Sequence, residues 1–272
     1  WRQLVSSVFP LNDFRTQRID RLGGYGVLPT VNQGAPYQPL TTPGNEEVTY
    51  AAAKKGGTED LTWETIVNDD LRVVQKIPQK LGLAAAQTLF RFVLDLLDTN
   101  PTIYDSVALF AAGHNNTATN ALSGANMSLA RRAMRKQTAY GDTTNVLSIV
   151  PKTLVVVSEL EEMAFQLSRS AVALPSAAPV GAAANQPNLH QNLAFLTVDY
   201  WTSTTKWVVV ADPAMVPTIE VGFLYGKDAP ELFVQNDPTV GAPFNADKVI
   251  WKIRHVYGGA VLDFRGFYRG NV

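Results

Sequence analysis

The stretch IPQKLGLAAAQTLFRFVLDLLDTNP, residues 77–101, carries the first decision about the fold. Leu81, Ala85, Leu89, Phe92 and Leu96 recur at spacings of four and three, the repeat of one helix face, and Arg91 and Asp95 stand one turn apart. The spacing predicts a helix over Gln79 to Asp98, about 30 Å long at about 1.5 Å per residue. Pro78 suits the first turn, where its missing N–H leaves no bond unmade, and Asn100-Pro101 ends the helix. Leu83, Ala84, Ala86, Phe90, Val93, Leu94 and Leu97 add apolar groups around the cylinder, so the helix is expected to be covered on more than one side.

On the N-terminal side, residues 1–20 mix polar groups with Leu4, Val8, Phe9, Leu11, Phe14 and Ile19 and show no long period. Such a segment reads as an arm lying against its own domain or a neighbour. From Gly23 to Gly44 the chain is dominated by Gly, Pro, Asn, Gln and Thr, which resist both helix and a continuous ladder. Between Glu46 and Val67, Val48, Tyr50 and Ala52 alternate, then Lys54-Lys55-Gly56-Gly57 leads to Leu61, Trp63 and Thr65. This predicts two half-apolar strands joined through the glycine pair. With the preceding loop they form a protrusion of a kind that a functional contact or partner usually holds; an ordinary surface hairpin is the plain alternative.

Beyond the long helix, a second is expected from a cap at Asn126 to about Thr138, with Met127, Ala130 and Met134 inward. Arg131, Arg132, Arg135 and Lys136 make its outer face basic, as a solvated face, an intersubunit pairing surface or a phosphate contact. Ile149 to Val157 reads as a buried strand leading to Ser158, which with Glu161 has capping-box spacing before a helix to about Ser170. Residues 171–188 read as a small-residue loop. Short β-rich runs follow around Leu193–Val198, Trp207–Ala211, Thr218–Leu224, Leu232–Val234, Val249–Tyr257 and Ala260–Phe264. The fold class is α+β.

Composition narrows the functions. Over 272 residues, 23 Lys plus Arg against 24 Asp plus Glu leave a formal net charge of −1, which argues against a uniformly basic nucleic-acid surface. No cysteine is present, so disulfides, thiolate nucleophiles and cysteine-ligated metals are excluded. No apolar run approaches the length of about 20 residues that spans a bilayer, and no signal peptide is evident, so cytosolic assembly is expected. Trp1 in place of a methionine fits a processed product or a fragment.

Catalytic patterns are weak. His114, His190 and His255 are far apart and outside any HExxH pattern. Asp69-Asp70 reads as a helix-dipole partner, and Gly23-Gly24-Tyr25-Gly26 lacks phosphate-loop spacing. Ser158 follows a strand and precedes a helix, but Val-Val-Ser-Glu-Leu lacks the glycines of a nucleophile elbow. A monomeric hydrolase using Ser158 therefore stands only as a minor alternative, and no catalytic, cofactor or metal residue is assigned.

Several stretches in order resemble one family. They are Ile66-Val-Asn-Asp-Asp-Leu71, Ile77-Pro78 with the long helix, Asn100-Pro101-Thr102, Val107-Ala-Leu-Phe110, His114-Asn115 and Ala133-Met-Arg-Lys-Gln137. The likeness continues through Leu147-x-Ile149-x-Pro151-Lys152, the Leu154-to-Glu161 strand and cap, Ala211-Asp-Pro213, Thr218-Ile-Glu220 and Asp263-Phe-Arg-Gly-Phe-Tyr268. From about Gly24 to Arg269 the chain resembles tailed-phage major capsid proteins of the Mu-like major head subunit type.

That resemblance implies the HK97-like capsid fold. It divides the chain into an N-terminal arm over 1–21, an extended loop and hairpin (the E-loop region) over 22–68 and a mainly P-domain segment over 69–148, whose spine helix is 79–98. A mainly A-domain segment follows over 149–221, and P-domain β segments over 222–272. It also implies a virion protein, assembled in the bacterial cytoplasm, whose copies form hexamers and pentamers of an icosahedral shell contacting enclosed double-stranded DNA nonspecifically. Portal protein, scaffold or maturation protease and decoration proteins are the implied partners, and no membrane or cofactor is. Phe9, Phe14, Tyr50, Lys54, Lys55, Trp63, Arg131, Arg132 and Arg135 are the intersubunit candidates. Covalent Lys–Asn crosslinking, known in one related capsid, is not established by Lys54 and Lys55 alone. An encapsulin-like compartment, which has the same shell fold around protein cargo, is the main alternative.

Overall fold

In the computed structural model the described residues are 1–23, 28–40, 45–68, 74–172 and 187–271. Asp69-Asp70, Gly24-Tyr25-Gly26 and most of the 171–188 loop lie outside them. In chain order the first elements are β1 (Val5–Leu11), β2 (Gln17–Leu22), β3 (Asn45–Tyr50), β4 (Ala53–Thr62), α1 (Trp63–Val67) and α2 (Ile77–Asp98). Then come β5 (Thr117–Ala118), α3 (Gly124–Arg135), β6 (Thr138–Ala139), β7 (Asp142–Val146), β8 (Pro151–Val157) and α4 (Glu161–Arg169). The chain closes with β9 (Ala194–Val198), β10 (Trp207–Ala211), β11 (Ile219–Leu224), β12 (Glu231–Gln235), α5 (Gly241–Ala246), β13 (Lys248–Val261) and β14 (Phe267–Gly270). The α+β reading holds.

One sheet is organised by β13. Along one side it carries β12 and β11 end to end, and along the other β4, with Tyr257 opposite both Phe223 and Ala53. β1 adds to β11 in parallel, so residues 5–11 of the expected arm are a strand of their own body, with Leu4 and Leu11 fully buried. The other sheet has the order β5-β14-β10-β8-β9. Its central strands are buried on both faces, which explains why Leu154–Val157 and Trp207–Ala211 read as unbroken apolar runs. Val155, Val157, Val208 and Val210 meet Leu89, Val93, Leu94 and Leu97 of α2, together with Val221, Phe223 and Tyr257 of the first sheet. Leu154, Val156, Trp207 and Val209 instead meet Met127, Ala130 and Met134 of α3 and Ala164 and Leu167 of α4.

Several expectations change. Helix α2 begins two residues early, at Ile77, and only its C-terminal half is enclosed: Leu89, Val93, Leu94 and Leu97 are buried, while Leu83 is 54% exposed. Apolar content alone could not tell which half the sheets reach. Helix α3 is capped by Ser123, whose hydroxyl accepts from the Asn126 amide, instead of by Asn126. Ser158 makes no cap; it opens a short 3-10 turn and donates its hydroxyl to Asp199.

The largest correction concerns the glycine pairs. Gly56-Gly57 is not a turn: it lies inside β4, paired with Arg254 and Ile253 of β13, so Glu46–Val67 is not a hairpin. A Cβ on Gly56 would sit 2.2 Å from the Ile253 carbonyl oxygen. Gly258-Gly259 likewise does not divide two strands, because Cβ atoms there would stand 2.3 Å from the Ala51 oxygen and 2.5 Å from the Glu220 oxygen. At these positions glycine permits close backbone approach. The true hairpin pairs β2 with β3, from Gln17 opposite Tyr50 to Leu22 opposite Asn45.

Candidate assembly interface

Among the described residues no catalytic constellation is assembled, so the surfaces left open, and what holds them in place, carry the functional reading. At the loop end of its paired strands the β2–β3 hairpin is held by a cluster of four charged side chains, of which Asp263 and Arg265 are buried. The Arg21 guanidinium donates to Asp263 at 2.6 Å, to the Leu262 carbonyl at 2.7 Å and to Glu46 at 3.3 Å. Arg265 donates to Asp263 at 3.1 Å and to the Thr138 carbonyl at 2.8 Å, with Glu46 at 3.7 Å. Asp263 and Glu46 side chains are 4% and 8% exposed, so neither carboxylate is satisfied by bulk water. Burial pushes the Glu46 carboxyl above its ordinary range even though Arg265 and Arg21 oppose the shift. Tyr104 lies under the Arg21 guanidinium, and burial raises its phenol, with the charges of Asp263 and Glu46 adding to the effect.

Aromatic packing extends this anchor. The His114 ring lies flat on Phe264, centroids 3.8 Å apart, and its Nε2 is 2.6 Å from Asp105. At the other end of the hairpin, Tyr50 donates to Glu220 at 2.8 Å, and Ser7 donates to the second oxygen of that carboxylate at 2.6 Å. Gly222 leaves room for this arrangement, since a Cβ there would be 2.7 Å from the Tyr50 hydroxyl oxygen. Tyr50 is therefore a buried brace within its own chain and not a surface group.

Beyond this anchored end of the strands, residues 28–40 are exposed along their whole length and lie outside any strand or helix. They carry Leu28 at 70% and Tyr37 at 87% exposure, both absent from the expected intersubunit set. A second apolar patch surrounds α1 and α5, with Trp63, Val67, Val240 and Phe244 all exposed and the Trp63 amide bonded to the Asp247 carbonyl. Trp63 was legible in the sequence. Phe244 and Val240 were not, because nothing local marks a short helix as a companion of a segment nearly 180 residues away.

The other candidates are dispersed. Phe9 and Phe14 are half exposed on and after β1, and Lys54 and Lys55 are both exposed, on opposite faces of β4. Arg132, Arg135 and Lys136 are exposed, and Arg131 is half-buried. None of these α3 cations has a carboxylate within ion-pair distance among the described residues, whereas Lys152, Lys206, Lys227 and Lys248 each do. Arg131 lies near His190, whose ring is held below its usual pKa by burial first and by this charge second.

Among the described residues no hydrolytic centre is assembled. The Ser158 hydroxyl meets a carboxylate, while His114, His190 and His255 are packed with Asp105, Ser128 and Phe223 respectively. Among the described residues no group of three or more His, Cys, Asp or Glu side chains is placed to hold a metal ion, and no helix is long and apolar enough to cross a membrane.

Comparison with known proteins agrees with an assembling subunit. A family described as phage capsid protein matches residues 45–270. A search among curated proteins gives no match. Among solved structures, one from Gordonia phage Cozz aligns with a TM-score of 0.60 at 12% identity, covering 99% of this chain and 85% of that one. One from Microbacterium phage Oxtober96 gives 0.59 at 11% identity, covering 97% and 88%. The Cyanophage Pam1 capsid asymmetric unit gives 0.59 at 9% identity, covering 94% and 84%. With most of its length matched and its fold shared, the chain belongs to the phage capsid protein family: it is a self-assembling major capsid protein and not an enzyme.

Proposed function

We propose that this chain is the repeating tile of an icosahedral phage head that encloses double-stranded DNA, built as hexamers and pentamers. The observation that carries the reading is the β2–β3 hairpin. The loop end of its strands is fixed by the Arg21, Glu46, Asp263 and Arg265 cluster, while residues 28–40 present uncovered apolar side chains. An anchored pair of strands ending in an uncovered apolar loop suits a contact made between copies.

In HK97-like terms, the hairpin over 17–50 corresponds to the extended loop, α2 to the spine helix, the β13-centred sheet to the P domain, and the sheet carrying α3 and α4 to the A domain. This moves the extended loop toward the N-terminus of the 22–68 segment expected from sequence, because β4 is a strand of the body. The arm over 1–21 then supplies β1 and the first hairpin strand. Phe9, Phe14, Lys54, Lys55, Trp63 and the α3 arginines remain the surface groups proposed to meet neighbours. The α3 cations, which have no carboxylate partner among the described residues, would meet carboxylates of another copy, or phosphates where that face points inward. Portal, scaffold or protease, and decoration proteins would be partners of the assembled head, which would form in the host cytoplasm.

Removal of residues 28–40 tests this reading. A wider deletion from Gly34 to Lys55 would also remove β3, the Tyr50–Glu220 bond and the start of β4, and so would damage the body itself. The narrow deletion is expected to preserve the circular dichroism of the soluble chain and to abolish closed particles in electron micrographs. Normal closed shells from the deleted chain would refute the assignment.

A further inference from the structure

An open sheet edge usually carries something that keeps other strands off it. Most edges of this chain do. β4 presents Lys54, Lys55, Glu59 and Asp60, β1 contains Pro10, and β5 is two residues long. β9 commits Leu196 to one core and Phe195 to the other. β12 has none of these protections. It pairs with β13 along one side, and among the described residues no backbone pairs with its other side. Its sequence, Glu-Leu-Phe-Val-Gln, has no lysine, proline or glycine, and Leu232, Phe233 and Val234 are 40%, 39% and 49% exposed.

The two faces of β12 differ, because successive side chains alternate. Phe233 stands opposite Lys252, and its ring carries the Lys252 ammonium at 4.8 Å and the Arg254 guanidinium at 4.9 Å. Leu232 and Val234 lie on the other face, opposite Ile253 and Trp251, both of them buried. The apolar row of that face therefore runs from β13 onto β12 and stops there uncovered. A further strand beside β12 would continue it.

The strand is its own complement. Antiparallel pairing of two copies about Phe233 sets Leu232 against Val234 twice and Glu231 against Gln235, so the apolar row crosses the axis and no like charges face each other. Glu231 is already paired with Lys227 at 2.5 Å and Arg254 at 2.8 Å. The five residues span about 17 Å, and a strip of that length falls well short of the roughly 1,200 Å² at which stable complexes begin. It is too small to hold two free chains together, and it suits a contact repeated many times between assembled rings. A patch that meets itself makes a two-fold contact, whereas a closed ring is built from contacts whose two sides differ, so self-pairing joins one ring to the next.

We infer that the free edge of β12 pairs antiparallel with β12 of a second copy in a neighbouring hexamer or pentamer, making one sheet that continues β4-β13-β12 of each chain across a two-fold axis. This rests on the capsid reading and names a contact between rings.

The absence of cysteine makes the test direct. Phe233→Cys sets a thiol opposite its own copy at about 4.5–5.5 Å between Cα atoms, a separation that a disulfide spans. Mild oxidation of assembled particles is expected to give disulfide-linked dimers on a non-reducing gel, and Lys55→Cys particles, with the thiol on the β4 edge, are expected to give none. Particles mixed from Leu232→Cys and Val234→Cys chains should crosslink more than particles of either alone, and equal yields would refute the register about Phe233. Closed Phe233→Cys shells that crosslink no more than Lys55→Cys shells overturn the pairing and leave the capsid reading standing. An unmodified chain that forms no shells overturns the capsid reading itself. Val234→Lys, at an exposed site, gives a second measurement that needs no oxidation. Its shells are expected to fail to close or to dissociate at a lower urea concentration, while the unfolding midpoint of the unassembled chain stays unchanged. Equal dissociation of Val234→Lys and wild-type shells would contradict the pairing.

Discussion

Replacing Asp263 by Asn tests whether the hairpin is a fixed part of the body. The carboxylate is 4% exposed and faces two guanidinium groups, at 2.6 Å from Arg21 and 3.1 Å from Arg265. Its neutral amide would leave the buried Arg265 and the partly buried Arg21 against Glu46 alone. Removing one partner of a buried pair typically costs about 3–5 kcal/mol. Arg21 keeps the Leu262 carbonyl and is 19% exposed, and Arg265 keeps the Thr138 carbonyl, so the expected cost is at the lower end, about 3 kcal/mol.

The control is Arg18→Ala, which breaks the Arg18–Glu47 pair on the same hairpin, with side chains 74% and 41% exposed. Water screens that pair, and its loss should cost no more than about 1 kcal/mol. Urea unfolding of the soluble chain separates the two. At a slope of about 1–3 kcal/mol/M, the Asp263→Asn midpoint should fall by about 1 M or more, and the Arg18→Ala midpoint by much less. Hydrogen exchange should locate the loss in β2, β3 and the Asp263 turn. Equal midpoints for the two variants would refute the view that buried charge secures the hairpin.

Other consequences follow from the same geometry. Leu94→Ala removes a fully buried side chain of α2 and should cost about 2–5 kcal/mol, whereas Leu83→Ala, at an exposed site on the same helix, should stay within about 1 kcal/mol; urea midpoints distinguish them. Gly270→Ala would place a Cβ 2.1 Å from the Trp207 ring, and a clear fall in thermal midpoint is expected, with retention of wild-type stability contradicting the packing described. Glu46 has a folded pKa raised by burial, opposed by Arg265 and Arg21 and reinforced by Asp263 and Asp105. Between its unfolded pKa near 4.5 and that raised value, the folded chain takes up a proton that the unfolded chain does not, so this group adds stability as pH falls. The stability of wild type relative to Glu46→Gln should therefore rise on lowering the pH through that window, and a flat difference would contradict it.

Much of the body was legible because its signals are local. The i, i+3, i+4 pattern around Leu89 located α2, Met127, Ala130 and Met134 gave the inner face of α3, and the unbroken runs at 154–157 and 207–211 marked strands covered on both faces. Pairing was not legible in the same way. Alternation at Val48 and Tyr50 identifies a strand but not its neighbour, and a glycine pair serves equally for a turn or for close backbone approach. Only the register of β13 decides between those uses of Gly56-Gly57.

The anchoring charges were hidden by separation: Arg21 and Glu46 come from the first fifth of the chain and Asp263 and Arg265 from its end. The exposed arginines of α3 and Trp63 could be picked out because each is conspicuous in its own neighbourhood.

Cryo-electron microscopy of particles assembled from this chain and retaining their contents tests the central claim most directly. Closed icosahedral shells around double-stranded DNA are expected, with each chain's residues 28–40 lying on another copy. Shells filled with protein cargo and no DNA would assign the chain to a compartment, and chains that stay monomeric under assembly-permissive conditions would contradict a self-assembling capsid subunit.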